Sequence, residues 1–272
     1  VGGVANERVN DLAALLHLEP LKPDAWLGTG PDLGWGRIYG GQIVAQALRA
    51  ASLTVPERRP VHSLHAYFIR AGHERSAVLF EVERLRDGRS FSTRQVVAYQ
   101  SSGAILNLIA SFNDDEPDSP DVIAWPMPDG VDGPRDLPNE PTDLLMEHRV
   151  VRRDLSQGSL VWLRAVGELG DDPAVHACAL AYLSDEDPLG VAVGAHPLAG
   201  QWDDMMAASL DHAVWFHRPA RADDWLLFSL TGHGMANARG LAIARVHTAD
   251  GTHVATVAQE GLGRTRHRAQ PD

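Results

Sequence analysis

One acid stands in an unusual place in this chain. Asp211 sits in the run ASLDHAVWFHRP, at the mouth of an apolar strand that carries Trp215 and Phe216. A carboxylate there can be an ordinary strand-entry or turn group, as most such aspartates are, or it can take a proton. Gln259, within VAQEG, and His233, within LTGHGMANARG, are further polar groups in otherwise apolar surroundings. More familiar chemistry is missing. There is no G-x-S-x-G nucleophile elbow and no G-x-x-x-x-G-K-[ST] phosphate loop. GWGRIYG, residues 34–40, starts like a dinucleotide loop, but its last glycine is one position late and no apolar strand precedes it. The 13 histidines include no H-E-x-x-H. His62 and His65, three apart on a predicted strand, face opposite sides of a sheet, and the same parity separates His212 from His217. No metal and no cofactor is expected.

The elements that must position these groups follow from apolar spacing. Residues 7–18 carry helix-like spacing at Val9, Leu12, Leu15 and Leu16, and GGQIVAQALRAAS, residues 40–52, predicts a short helix entered through two glycines. Strand-like runs follow: VHSLHAYFIR, AVLFEVERLRDG, SFSTRQVVAYQ and AILNLIASF, with RDG and SSG at the turns. EPDSPDVIAWPMPDGVDGPRDLPNEP holds seven of the 17 prolines and reads as a linker, partly pinned through Trp125 and Met127. Beyond it come the strands EHRVVRRDL and SLVWLRAV and a buried helix, AVHACALAYL. A second meander closes the chain: AVWFHRP, DWLLFSL, RGLAIARVHTADG and HVATVAQEGL.

The two meanders are related by an offset of 148, which takes Phe68 to Phe216, Arg70 to Arg218, Leu79 to Leu227, Phe80 to Phe228, Gly103 to Gly251 and Ala110 to Ala258. Two copies of one helix-plus-antiparallel-sheet unit make an α+β architecture able to pair as a pseudo-dimer. Under that offset Asp211 replaces Ser63, Gln259 replaces Ser111 and His233 replaces Leu85. Polar groups confined to one copy suggest that the second copy hosts a site.

Composition narrows the partners. A net charge of −12 argues against a general nucleic-acid surface, although a few placed arginines can still hold an anionic ligand. No apolar run is long enough for a transmembrane helix. The first residues lack the basic region of a signal peptide, the last carry no peroxisomal tripeptide, and the cytoplasm is the expected location. The lone Cys178 lies in an apolar run as a buried filler, not a nucleophile.

RIYGGQIVAQALRAA, VHSLHAYFIRAG and LRDGRSFSTR in the first half, with LDHAVWFHRP, DWLLFSL, ARG and DGTHVATVAQEG in the second, resemble the acyl-CoA thioesterase II family. These are the TesB-like, or double hot-dog, thioesterases. The resemblance spans nearly the whole chain. It implies two tandem hot-dog folds, each an antiparallel sheet wrapped around a central helix, over residues 1–115 and 146–272 with a linker at 116–145. It also implies a fatty acyl-CoA substrate, hydrolysis to free acid and coenzyme A, and a homo-oligomer.

In that family an Asp, a Gln and a Ser or Thr jointly activate water. Asp211 and Gln259 match the first two. The family hydroxyl falls at His233 or Gly232, with Thr231 slightly upstream, so a neutral imidazole at His233 is the expected substitute. Asp211 is then base, orienter or direct nucleophile. The Gly41 and Gln42 amides, at a helix start, are expected to face the developing oxyanion from the other half, or else the glycines merely let helix and sheet approach. Ile43, Leu48 and Trp215 are expected along the acyl chain. Arg89, with Arg84 and Arg86 around the Asp87-Gly88 turn, is expected at coenzyme phosphates or as a solvated charge. A non-catalytic acyl-CoA binder and a hot-dog enoyl-thioester hydratase are the alternatives.

Overall fold

Period-two alternation of apolar and polar residues builds the long strands, and one buried helix in each half covers their apolar side. The computed structural model describes residues 9–123, 125–154 and 158–266. The expectations drawn from the first eight residues and from the tail at 267–272 lie outside these. The first half runs α1 (Leu12–Leu15), β1 (Glu19–Lys22), β2 (Ala25–Gly28), α2 (Gly40–Ser52), β3 (Val61–Phe68), β4 (Val78–Asp87), β5 (Phe91–Gln100) and β6 (Gly103–Asn113). The second runs β7 (Met146–Asp154), β8 (Gly158–Ala165), α3 (Pro173–Leu183), α4 (Pro188–Ala192), β9 (Met205–Ser209), β10 (Asp211–Phe216), β11 (Leu226–Ala236), β12 (Arg239–Thr248) and β13 (His253–Thr265). Helix α1 is shorter than its sequence pattern suggested. No described helix is long and apolar enough to cross a membrane.

The strands form one sheet in the order β1-β2-β4-β5-β6-β3-β10-β13-β12-β11-β8-β7, with β9 also on β13. The halves join where β3 meets β10. Helix α2 lies against the strands of its own half and against α3, which packs on β8. Val44, Ala47, Leu48 and Ala51 of α2 and Cys178 through Leu183 of α3 are buried in one continuous core. This is the tandem hot-dog architecture. Helix α3 is apolar on every side because both sheet and α2 cover it. Its start is set by Pro173 and by Asp172, whose carboxylate accepts the Ala174 amide at 2.9 Å.

The β3–β10 register carries a pseudo-twofold axis. Asp211 faces Tyr67, and Trp215 faces Ser63. The offset of 148 exchanges these two pairs and maps the central pair, Ala213 with His65, onto itself. The β4–β5 bulge after Arg84 recurs in β11–β12 after Gly232, so Leu85 and His233 occupy the same bulge.

The last strand departs from this symmetry. Val96 pairs with Leu108, but Ala244 pairs with Val257, not with Thr256. The turn after β12 is one residue longer than the turn after β5, since Tyr99 pairs with Ala104 but His247 with His253. Gln259 therefore corresponds to Ala110, not to Ser111, and the matching of Ala110 with Ala258 is likewise displaced by one. A one-residue slip moves every side chain to the other face, which is why the uncorrected offset misread this strand.

Between β6 and β7 the described residues hold one 3₁₀ turn, Pro134–Asp136. The carbonyls of Trp125, Asp132 and Pro134 accept from His247, Trp162 and Arg149, and Asp121 pairs with Arg218. Arg245 lies 4.0 Å over the Trp125 ring.

Candidate active site

Gln259 is a fully buried polar side chain on the helix-facing side of β13. Its Oε1 meets His212 Nδ1 at 2.5 Å, and its Nε2 donates to Ser209 Oγ at 2.8 Å. His212 Nε2 in turn lies 2.8 Å from Ser184 Oγ. An amide oxygen can only accept, so the Nδ1 of His212 carries the proton and its Nε2 takes the Ser184 hydroxyl. Burial pushes His212 down to about 4, against the opposing hydrogen bond from Gln259, so the imidazole is neutral. The chain Ser184–His212–Gln259–Ser209 is thus a buried network in which donors and acceptors alternate.

Four elements meet beside this network. The start of α2 comes from the first half, the turn after α3 from the second, and β10 and β13 form the floor. The glycine pair permits the crossing of the helices. A Cβ on Gly41 would stand 2.3 Å from the Tyr182 carbonyl oxygen, and one on Gly40 would stand 2.5 Å from Asp185 Oδ2. The Tyr39 hydroxyl donates to the same Tyr182 carbonyl at 3.1 Å, clamping the two helices together. Helix α4 closes the neighbouring face. Gly240 lies so near the Ala192 carbonyl that a Cβ there would reach within 1.8 Å of its oxygen.

Asp185 stands at the centre of this meeting point. Burial raises its carboxyl to about 7, opposed by hydrogen bonds from the Gly41 amide and the Gln259 side chain. Its neighbour Glu186 is pushed up to about 8 by burial and then by Asp187, against Arg153. Sequence reasoning missed Asp185. In SDEDP it is one of three acids in a row and looks like a solvated turn.

The expected site residues fall in several places. Asp211 lies just after a bulge at Leu210, where β9 and β10 both run along β13. Its Oδ1 accepts the Glu260 amide at 2.7 Å. The pairing of Ala213 with Ala258 sets His212 opposite Gln259 and leaves Asp211 with Glu260 on the reverse face. Asp211 and Gln259 therefore do not converge from one side of the sheet. The cause is strand alternation, which two motif residues on adjacent strands cannot escape when their registers differ by one.

His233 is exposed at its bulge, and the described residues offer it no hydrogen bond. Thr231 is exposed as well, and the β11 residue in the row of Gln259 is Gly232, through Ala242. The Gln42 amide is already donated to the Tyr39 carbonyl at 3.1 Å, and that of Gly41 is turned toward the Asp185 carboxyl. Ile43 and Leu48 are filled core positions, whereas Trp215 is 36% exposed on the reverse face, edge-on to His65 at 5.1 Å. Trp215 cannot share a helix–sheet pocket with them. Arg89 is exposed in the β4–β5 turn, where its carbonyl accepts from Arg59. That turn is level with Phe112 and Val61, six residues or about 20 Å along the strands from the Tyr67–Asp211 row. Cys178 is buried, and burial pushes its thiol up to about 12, an inert state. Among the described residues no group of His, Cys, Asp or Glu is arranged to hold a metal.

Chains of known kind resemble this one in sequence and fold. The acyl-CoA thioesterase family model matches residues 143–262, and that of the acyl-CoA thioesterase N-terminal domain matches residues 31–113. Acyl-coenzyme A thioesterase 8 of Homo sapiens is 36% identical, over 94% of this chain and 89% of its own. Acyl-CoA thioesterase 2 of Haemophilus influenzae is 32% identical, over 93% of this chain and 97% of its own. The crystal structure of an acyl-CoA thioesterase II from Mycobacterium marinum superposes with a TM-score of 0.82 at 37% identity, covering 96% of this chain and 99% of that one. With the two hot-dog halves, the helix junction between them and these likenesses together, the chain belongs to the acyl-CoA thioesterase family.

Proposed function

We propose that this chain hydrolyses fatty acyl-CoA to the free acid and coenzyme A, with the attacking water received beside Gln259 at the junction of the two halves. The observation that carries this reading is Gln259 itself. It is a fully buried amide where the first half has Ala110, wired to His212 and Ser209 and next to the start of α2. A thioester carbonyl is already activated, so an oriented water suffices and no covalent intermediate is needed. The fixed amide sets the direction of the water.

The Gly41 amide, at the positive end of α2, leaves the Asp185 carboxyl to become the donor for the developing oxyanion, a role worth roughly 2.7 to 4 kcal/mol per donor. Asp211 acts here as an orienting group. By holding the Glu260 amide it fixes β13 at the residue next to Gln259. The chain works as a homo-oligomer in this reading, which is supported by Tyr67, Ile109 and Trp215, all exposed on the reverse face of the central strands.

The test is release of coenzyme A thiol from acyl-CoAs of several chain lengths. Gln259→Ala is expected to lower kcat about 100-fold with the fold retained. An unchanged kcat in that variant would remove Gln259 from the mechanism.

A further inference from the structure

His212 has no role in the reading above, yet the fold sets its fully buried imidazole directly against the Gln259 amide. The scaffold does not need polar groups there. Under the offset of 148 the equivalent of His212 is Leu64, which pairs with Ala110 across β3 and β6. Both are fully buried, so the first half fills the same place with hydrocarbon alone. The second half replaces that pair with His212 and Gln259, two polar groups that cost free energy to bury unless they are bonded. They are bonded at each end. Ser184 Oγ, on the turn after α3, lies 2.8 Å from His212 Nε2 and also 3.0 Å from the Ala181 carbonyl oxygen. Ser209 Oγ, on β9, lies 2.8 Å from Gln259 Nε2.

Such a chain admits two proton arrangements, and each fixes the amide in the opposite sense. In the first, the Ser184 hydroxyl points to His212 Nε2 and the Nδ1 proton goes to Gln259 Oε1. One amide N–H then goes to Ser209, and the second faces the start of α2 beside Asp185. In the other, the Ser184 hydroxyl turns to the Ala181 carbonyl, His212 Nε2–H donates to Ser184, and Nδ1 accepts from an amide rotated by half a turn. The His212 tautomer and the Gln259 orientation are therefore one variable. Asp185 selects the first arrangement, because a rotated amide would present its oxygen to the carboxyl. We propose that His212 is a positioning residue for hydrolysis: its Nδ1–H holds Gln259 with the amide nitrogen toward the water, and Ser184 sets the tautomer. The proposal rests on the thioesterase reading. The water receives an N–H from Gln259 on one side and keeps a lone pair for the thioester carbonyl carbon.

The ring is suited to this task. Burial keeps it neutral, so it carries one proton, and the partner at each nitrogen decides which nitrogen holds it. Its strand is fixed on both sides, by β3 and by β13, which leaves the imidazole no freedom to follow a wandering amide. Loss of such a fixed partner releases Gln259 to rotate, and misplacing a positioning group by about 1 Å can cost about 10²-fold in rate.

The experiment measures kcat and KM for thiol release from acyl-CoAs by the wild type, His212→Leu, His212→Asn, Ser184→Ala, Gln259→Ala and the double variant His212→Leu/Gln259→Ala. Ring-nitrogen NMR of the histidines, with His212 assigned by its absence from His212→Asn, reads the tautomer. His212→Leu copies the filling of the first half and is expected to lower kcat about 100-fold with KM within about threefold. His212→Asn keeps a donor where Nδ1 stands and should recover to within about tenfold of wild type. On the Gln259→Ala background, His212→Leu should cost less than about threefold more, because the group it positions has gone. The His212 ring should be protonated at Nδ1 and bare at Nε2. The proposal is overturned if His212→Leu stays within about threefold of wild type, or if His212→Asn fares no better than His212→Leu. It is equally overturned if the loss adds in full on Gln259→Ala, as a merely structural histidine would give, or if the proton sits on Nε2. Should His212→Leu not fold, the wild-type ring spectrum and Ser184→Ala decide. Ser184→Ala is expected to lower kcat about tenfold as the tautomer loses its anchor, and an unchanged kcat there overturns the proposal. An active wild type with an indifferent His212→Leu removes the role of His212 alone, whereas a wild type that releases no thiol from any acyl-CoA removes the thioesterase reading with it.

Discussion

Replacing Asp185 with asparagine is expected to make the protein more stable at alkaline pH, relative to wild type, than at acid pH. In the fold the carboxyl titrates at about 7, against an ordinary 3.8. Between those values the folded chain holds a proton that the unfolded chain has released. Wild-type stability from this group is therefore fully present below about 4 and is lost as pH climbs through 7. Asparagine does not titrate, so the difference between variant and wild type grows in favour of the variant over that window. At about 1.36 kcal/mol per pH unit the ceiling is about 4 kcal/mol. Asp185 is only half-buried as a residue, so solvent screening brings the expectation to about 2 kcal/mol between pH 5 and pH 8. In a chain of this size that corresponds to about 4 to 8 °C in the relative melting temperatures. Urea unfolding of both proteins at the two pH values measures it directly. Two stability–pH curves that stay parallel within about 0.5 kcal/mol would refute the reasoning, because the carboxyl would then titrate as it does in water.

Further outcomes follow from the same geometry. Gly41→Ala should cost about 1 to 3 kcal/mol in chemical denaturation, since the new Cβ would stand 2.3 Å from a backbone oxygen of α3 and the helices would have to part. Gln259→Leu should cost about 1 to 3 kcal/mol by stranding the His212 proton and the Ser209 hydroxyl, and thermal unfolding reads this separately from activity. Trp215→Ala should change KM for long acyl-CoAs less than twofold, because its ring lies on the face away from both helices. Cys178 should resist alkylation in the native protein at pH 8 and react once unfolded, as free-thiol titration would show.

Much of the fold was legible in the amino-acid order. Period-two runs give the long strands, Ala-rich helical spacing gives α2, and the uniformly apolar AVHACALAYL gives α3, because local alternation and helix periodicity act within a few residues. The duplication was legible too, since an offset of 148 is preserved through three strands and the bulge at Leu85 and His233. The four-residue strands β1 and β2, the short α4 and β9 left no such trace. They are held by what they pair with and cover, not by their own pattern.

The site divides along the same line. Motif residues identified Asp211, Gln259 and the glycine pair as a set, but which sheet face each occupies was decided by turn length and by the bulge at Leu210. One extra residue in the β12–β13 turn sets Gln259 against the helices, and the bulge leaves Asp211 behind the sheet. Asp185 was invisible among its acidic neighbours. Only the crossing of α2 and α3 buries it, and burial is a property of the packed halves together, not of any segment read alone.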